Sequence, residues 1–447
     1  MRFERTGGKK CRLFRVFFEK REICGKKIEA MHGVETTESE EGAVMSFRTL
    51  DDVDVAGKRI LVRVDFNVPM AQGKVCDDTR LRRHKETLVE LQKRGAKLIL
   101  LSHCGRPKGQ VEPDFSLRPV TEVLEKIMKQ PVVFAPDCIG SSAQAAVEAL
   151  QNGGILLLEN VRFHAGEEKN DCSFAEALAQ NGELYVNDAF SVSHRAHASV
   201  EGITRLLPSY AGRSLQCELQ ALEKGLGNPT HPVVAVVGGA KVSSKLFVLN
   251  HLVEKVDYLV IGGGMANSFL AAQDVHVGKS LCEHTLMETI KKVMQKAQEC
   301  QCTILLPMDA VVAFRFEKNA PHRLYDIENI PEGGMILDIG VRSIAQINAV
   351  IDKAATLVWN GPLGVFEMSP FDQGTIAVAR HAAERSLTGK LVSIAGGGDT
   401  VFALNHAGVA NDFTYLSTAG GAFLEWMEGK VLPGVLALMQ AKGSYEG

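Results

Sequence analysis

Short apolar runs recur along most of the chain, each separated from the next by a longer amphipathic stretch. That alternation predicts repeated strand–helix units feeding a parallel sheet. The apolar runs fall at residues 60–64, 98–101, 155–158 and 184–186, then at 233–237, 258–261, 303–306, 356–359, 391–394 and 413–416. Stretches such as 121–128, 143–150 and 246–253 carry helical periodicity between them. In open parallel sheets ligands bind beyond the carboxyl ends of the strands. The residues just after each run are therefore the ones that bear on function.

The 447 residues, 45% of them hydrophobic, suffice for two or three domains. No apolar run approaches the length of a membrane span. A formal net charge of −3 gives no general reason to expect a nucleic-acid or membrane partner. The 10 cysteines are scattered, Cys300 and Cys302 being the closest pair, and there is no CxxC. This reads as reduced thiols of a cytoplasmic protein that serve packing.

In the first half the strand ends deliver polar and cationic residues. Run 60–64 contains Arg63 and leads to Asp65, Phe66 and Asn67, with Arg80 further on. Run 98–101 leads to Ser102, His103, Cys104, Gly105 and Arg106, and run 155–158 to Glu159, Asn160 and Arg162. Run 184–186 leads to Asn187, Asp188, His194, Arg195 and His197. The planar fork of arginine suits carboxylate and phosphate oxygens, so this half predicts a site for a small, multiply charged anion.

In the second half the strand ends turn glycine-rich. Run 233–237 gives Gly238, Gly239, Ala240 and Lys241, with Lys245 four residues on. Run 258–261 gives Gly262, Gly263 and Gly264, and run 356–359 gives Asn360, Gly361, Pro362, Leu363, Gly364 and Val365, then Glu367. Run 391–394 gives Gly396, Gly397, Gly398, Asp399 and Thr400, and run 413–416 gives Ser417 to Gly421. Glycine at a strand-to-helix turn lets the backbone approach a phosphate, free N–H groups at a helix start favour negative charge, and an aspartate there can hold a divalent cation. Lys241 and Lys245 share a helix face if Lys241 begins that helix. Two familiar nucleotide motifs fail. Gly278-Lys279-Ser280 resembles the end of a Walker loop, but Gln273 takes the place of its first glycine. The run from Gly262 resembles a dinucleotide fingerprint, but Asn267 takes the place of its last.

Arg63-Val64-Asp65-Phe66-Asn67-Val68-Pro69, Ser102-His103-Cys104-Gly105-Arg106-Pro107, Gly238-Gly239-Ala240-Lys241-Val242-Ser243 and Trp359-Asn360-Gly361-Pro362 closely resemble the signatures of phosphoglycerate kinases, as do 396–400 and 417–421. The resemblance runs from about Met45 to the C-terminus, in the family's order and spacing. It implies two Rossmann-like three-layer α/β domains with parallel sheets, joined by a hinge helix, with an active-site cleft between them. The implied division is an N-terminal phosphoglycerate-binding domain over 45–215, a hinge over 216–227, a nucleotide-binding domain over 228–430 and a segment, 431–447, returning to the first domain. The implied reaction moves a phosphoryl group from 1,3-bisphosphoglycerate to ADP, giving 3-phosphoglycerate and ATP, in a monomer that uses magnesium.

By the same resemblance, Asp65, Phe66, Asn67, Arg80, His103, Cys104, Gly105, Arg106, Arg162 and Arg195 form the phosphoglycerate site, with Arg63 alongside. Gly239, Lys241, Lys245, Gly262, Gly263, Gly264, Asn360, Gly361, Pro362, Gly364, Val365, Glu367, Gly397, Gly398, Asp399 and Thr400 form the nucleotide site. Arg80, Lys241, Gly397 and Gly398 are the implied catalytic set, and Asp399 the implied magnesium ligand. Ser244, Ala419 and the stretch Ser191-Val192-Ser193 depart from the common pattern without removing a charged group. Two other readings stand beside this one: a binding or scaffold protein that kept the fold without turnover, and a nicotinamide-dependent dehydrogenase, which the broken fingerprint disfavours. Residues 1–44, a basic block followed by an acidic patch, read as a solvated extension or a start assigned too early.

Overall fold

The structure is a computed structural model and describes residues 46–440. The extension expected over 1–44 lies outside the described residues. In chain order the first strands are β1 (Arg59–Arg63), β2 (Met70–Ala71), β3 (Lys74–Val75), β4 (Lys97–Leu101), β5 (Val132–Ala135), β6 (Ile155–Leu158), β7 (Leu184–Asn187) and β8 (Ser209–Ala211). Apart from the β2–β3 hairpin they form a six-stranded sheet in the order β5-β6-β4-β1-β7-β8, every neighbouring pair parallel. The later strands are β9 (Val233–Val237), β10 (Tyr258–Ile261), β11 (Thr303–Leu305), β12 (Asp309–Ala313), β13 (His322–Asp326), β14 (Met335–Ile339), β15 (Thr356–Asn360), β16 (Val392–Gly396) and β17 (Tyr415–Ser417). They build a second parallel sheet, β11-β10-β9-β15-β16-β17, and a small antiparallel one, β13-β12-β14.

Strand side chains alternate between faces, and here both faces are covered. Ile60 and Val62 of β1 pack into one core while Leu61 packs into another on the opposite face. Val233, Ala235 and Val237 of β9 do the same against Val234 and Val236. Each such buried valine, leucine or isoleucine side chain contributes about 1.5–3 kcal/mol relative to exposure. The result is two α/β domains, each a parallel sheet between helical layers.

Helix Arg213–Leu222 follows β8 and continues through a π-helical turn, Glu223–Gly227, towards β9. It is tied to both domains. The Arg213 guanidinium meets Glu90 at 2.7 Å and Asp51 at 2.6 Å in the first. In the second, the Tyr415 hydroxyl of β17 donates to Glu218 at 2.6 Å. At the other end of the chain, helix Pro433–Gln440 reaches back to the first domain, where the Gly434 N–H donates to Ser193 O at 2.8 Å.

The ten expected runs all carry strands, with ends shifted by a residue or two. Seven further strands were not foreseen, the β2–β3 hairpin among them. β5 is a short edge strand whose Val133 is exposed, and β8 spans Ser-Tyr-Ala with no apolar run to mark it. In the antiparallel sheet, β13 is almost wholly exposed and shows no alternation.

Candidate active site

Strand ends β1, β4, β6 and β7 converge on a cavity of about 390 Å³ whose walls include Arg80, His103, Arg106, Arg162 and Arg195. No ion pair to Arg106 or Arg195 occurs among the described residues, and both are exposed, so their charge faces the cavity unneutralised. Arg80 is held by its guanidinium: Nη1 lies 3.2 Å from Asp65 Oδ2 and donates to Asn67 O at 2.8 Å. Ser191 Oγ donates to the same Asp65 oxygen at 2.6 Å. Asn67 Oδ1 accepts from Gly105 N–H, and Arg162 Nη1 donates to Gly105 O at 2.8 Å, which fixes the loop after β4.

Arg63, Phe66 and Cys104 do not reach the wall. They lie buried behind it: Arg63 is the last residue of β1, and Phe66 and Cys104, in the loops after β1 and β4, pack into the core on one face of the sheet. Arg63 Nη2 donates to His103 Nδ1 at 3.2 Å, so Nδ1 accepts and the ring proton sits on Nε2. Burial, with Arg63 and Arg162 close by, pushes the His103 imidazole well below its ordinary value and keeps it neutral. His194, also on the wall, is pushed down to about 4 by burial and then by Arg195. The cavity's positive charge therefore comes from guanidinium groups and does not switch off at neutral pH.

The second cavity, about 510 Å³, lies beyond the ends of β9, β10 and β15. Gly239, Gly263, Gly264, Pro362, Gly364 and Val365 line it, together with the exposed Glu367 and Asp399. Its apolar wall comes from Leu281, Phe316, Met335 and Leu337. Beside it the glycine loops pack backbone to backbone. A Cβ on Gly238 would stand 1.8 Å from Pro362 O, so only glycine fits there. Gly397 takes φ 98°, in the left-handed region, and opens helix Gly398–His406. Thr400 Oγ1 accepts from Gly361 N–H at 2.7 Å and donates to Gly396 O at 2.8 Å, and Asn360 Nδ2 donates to Gly396 O at 2.7 Å.

The two lysines do not share a helix face. Lys241 is extended, at φ −132°, and precedes a 3-10 turn, Val242–Ser244; helix Leu246–Leu252 begins only after Lys245. Lys241 is exposed. Lys245 turns inward, where Nζ donates to Gly238 O at 2.6 Å and Asn360 O at 3.1 Å. Burial lowers its ammonium to about 8, against the opposing pull of Asp399.

A sequence model of the family described as phosphoglycerate kinase matches residues 50–430. A phosphoglycerate kinase of Bartonella quintana is 87% identical over 397 residues, 89% of this chain and 100% of that protein. One of Brucella abortus is 62% identical over 88% of this chain and 99% of its own length. Among solved structures, phosphoglycerate kinase from Coxiella burnetii superposes with a TM-score of 0.82 at 38% identity, covering 88% of this chain and 99% of that one. The chain belongs to the phosphoglycerate kinase family. It is accordingly a phosphotransferase whose substrates are a nucleotide and a phosphoglycerate.

The loop after β17 is the part of the site that the strand-end reading places least well. Its glycines group it with the nucleotide loops in sequence, yet Thr418, Ala419, Gly420 and Gly421 close the wall of the anion cavity, and Gly421 lies against the His194 ring. The same loop adjoins the nucleotide side: a Cβ on Gly420 would stand 3.7 Å from Gly398 N. Arg83 Nη2 of the first domain donates to Leu416 O, just before it, at 2.7 Å. The apolar wall residues Leu281, Phe316, Met335 and Leu337 escape the strand-end rule because they are ordinary hydrophobic residues off the parallel sheet.

Proposed function

We propose that the two cavities hold the two substrates of one reaction, the reversible in-line transfer of a phosphoryl group between 1,3-bisphosphoglycerate and ADP. The observation that carries this reading is the loop at 418–421. It walls the cationic cavity and lies beside Gly397 and Gly398, close enough that a Cβ on Gly420 would reach them, so the two binding regions adjoin. Arg106, Arg162 and Arg195 bind the phosphate and carboxylate of phosphoglycerate, with the His103 Nε2–H as a neutral donor. The apolar cavity takes the adenine, Glu367 accepts from ribose hydroxyls, and Lys245 with the N–H groups of 397–400 meets the nucleotide phosphates.

The acceptor oxygen belongs to a nucleotide phosphate or to a carboxylate. Both are ionised at neutral pH, so no general base is required. Catalysis then consists of in-line placement and charge stabilisation. Lys241 from one side and Arg80 from the other neutralise the phosphoryl group as it passes, and the start of helix Gly398–His406 adds N–H donors. The domains close over the transfer and exclude water, turning about helix Arg213–Leu222.

Asp399 suits a magnesium ion. Its carboxylate is exposed in the cavity wall, offers hard oxygen ligands, and forms no ion pair among the described residues. Bound there, magnesium would supply charge neutralisation for the nucleotide phosphates. One chain builds both cavities, so a monomer suffices. The free cysteines fit the cytoplasm. No helix among the described residues is long and apolar enough to cross a membrane. We assign 46–215 to the phosphoglycerate half, 216–227 to the hinge, 228–430 to the nucleotide half and 431–440 to the returning segment, whose expected remainder, 441–447, lies outside the described residues.

A coupled assay of ATP formation from 1,3-bisphosphoglycerate and ADP tests the reading. Purified protein should turn over. Ligand binding without turnover would make it a scaffold, and binding of NAD in place of ADP would make it a dehydrogenase.

A further inference from the structure

Lys279 and Leu281 line the nucleotide cavity, and the segment that carries them is fastened along its length. Lys279 N–H donates to Gly334 O at 2.8 Å, and Ser280 Oγ accepts from Ile336 N–H of β14 at 2.9 Å. Asn267 Nδ2 donates to Leu281 O at 3.2 Å, and Glu283 N–H donates to Ser268 Oγ at 2.9 Å. The strap thus runs from the antiparallel sheet, past the base cavity, to the loop after β9.

At its end Glu283 turns its carboxylate onto that loop. Oε2 accepts from Ser243 N–H at 3.0 Å and Oε1 from Ser243 Oγ at 2.6 Å. Ser243 lies in the 3-10 turn that Lys241 opens, and Lys241 itself provides no side-chain cap. The carboxylate from a separate loop therefore satisfies a turn N–H that would otherwise depend on water. Burial opposes charge on Glu283, but the Ser243 hydroxyl and N–H, with Lys241 nearby, hold its carboxyl below the ordinary value. Lys241 makes no ion pair within 4 Å among the described residues, so Glu283 orients its backbone without tying up its ammonium. The plainer alternative is a capping contact that stabilises an exposed turn and nothing more.

We propose that Glu283 is a positioning residue for Lys241: by holding Ser243 through two hydrogen bonds it sets the turn from which Lys241 reaches the transferring phosphoryl group. The strap then makes the wall of the base cavity and the placement of Lys241 parts of one fastened unit. This inference rests on the role given to Lys241 above.

A double-mutant cycle separates positioning from simple stabilisation. Glu283→Ala should lower kcat on the order of 10–100-fold, as misplacement of a reacting group does, with KM for 3-phosphoglycerate unchanged. Glu283→Gln keeps an acceptor for Ser243 and should recover most of the lost rate. In a Lys241→Ala background, Glu283→Ala should cost nothing further. An equal fold loss in both backgrounds, with Lys241→Ala itself severely impaired, overturns the positioning role alone. A Lys241→Ala enzyme that turns over normally overturns the role of Lys241 and this inference with it. If Glu283→Ala does not fold, Ser243→Ala in the two backgrounds gives the same discrimination: it removes the 2.6 Å hydroxyl contact to Glu283, should lower kcat in the wild-type background and should cost nothing further without Lys241, and wild-type kcat in Ser243→Ala or an equal loss in both backgrounds overturns the positioning role.

Discussion

The anion cavity and the nucleotide cavity are of similar size, about 390 and about 510 Å³, and both open at the carboxyl ends of parallel strands. They are made of different material. The first presents guanidinium groups on long side chains, steadied from behind by Asp65, Asn67 and buried Arg63. The second presents backbone, with glycine loops packed so closely that Gly238 leaves no room for a methyl group, and an apolar wall from a separate small sheet. One recognises charge and the other shape. Charge can be removed one side chain at a time, whereas shape fails as a whole once two loops are forced apart.

Substitutions can break or sharpen that contrast. The largest effect is expected at Lys241, an exposed lysine that the proposal assigns to the transferring phosphoryl group. Lys241→Ala should reduce kcat about 100- to 1000-fold, the loss typical of one donor to a developing charge, with little change in either ligand's affinity. Reduced ADP affinity at near-normal kcat would make Lys241 a nucleotide ligand instead. Next comes the shape side. Gly238→Ala should cost about 3 kcal/mol of stability through overpacking and abolish ADP binding, while calorimetry still detects 3-phosphoglycerate. Wild-type melting of this variant would show that the loops yield, contrary to the packing argument.

On the charge side, Arg106→Ala should weaken 3-phosphoglycerate binding by about 1.5–3 kcal/mol, the worth of a charged hydrogen bond, and leave ADP binding alone. An equal loss for both ligands would erase the distinction between the cavities. The smallest effect concerns protons. Lys245 sits at about 8 when folded, below its ordinary 10.5. Between those values the unfolded chain holds more protons than the folded one, so this group makes stability rise with pH across that window. A phosphate beside Lys245 favours its charged form. ADP binding near pH 8 should therefore take up protons, seen as a binding heat that varies with the buffer's ionisation enthalpy and vanishes in Lys245→Met.

The sequence announces the charged cavity better than the apolar one, for a physical reason. Arg106, Arg162 and Arg195 stand out because charges just after buried strands need a purpose. Leu281, Phe316 and Met335 look like any core residue, and β13 offers no alternation that would reveal the sheet. The spacing of Lys241 and Lys245 suggests a helix face, but the intervening 3-10 turn sends one outward and the other onto carbonyl oxygens. The loop at 418–421 has the composition of a phosphate loop; only the position of β17 at the sheet edge brings it against the first domain.

The antiparallel sheet β13-β12-β14 enters the chain between β11 and β15, as an insertion that leaves the order of the parallel strands intact. Through Met335, Ile336 and Leu337 it carries much of the apolar wall of the second cavity, while the glycine loops belong to the ends of the parallel strands. The two kinds of wall lie on separate stretches of chain. A substitution in the insertion can therefore reshape the apolar face of this cavity while the glycine loops opposite it keep their packing.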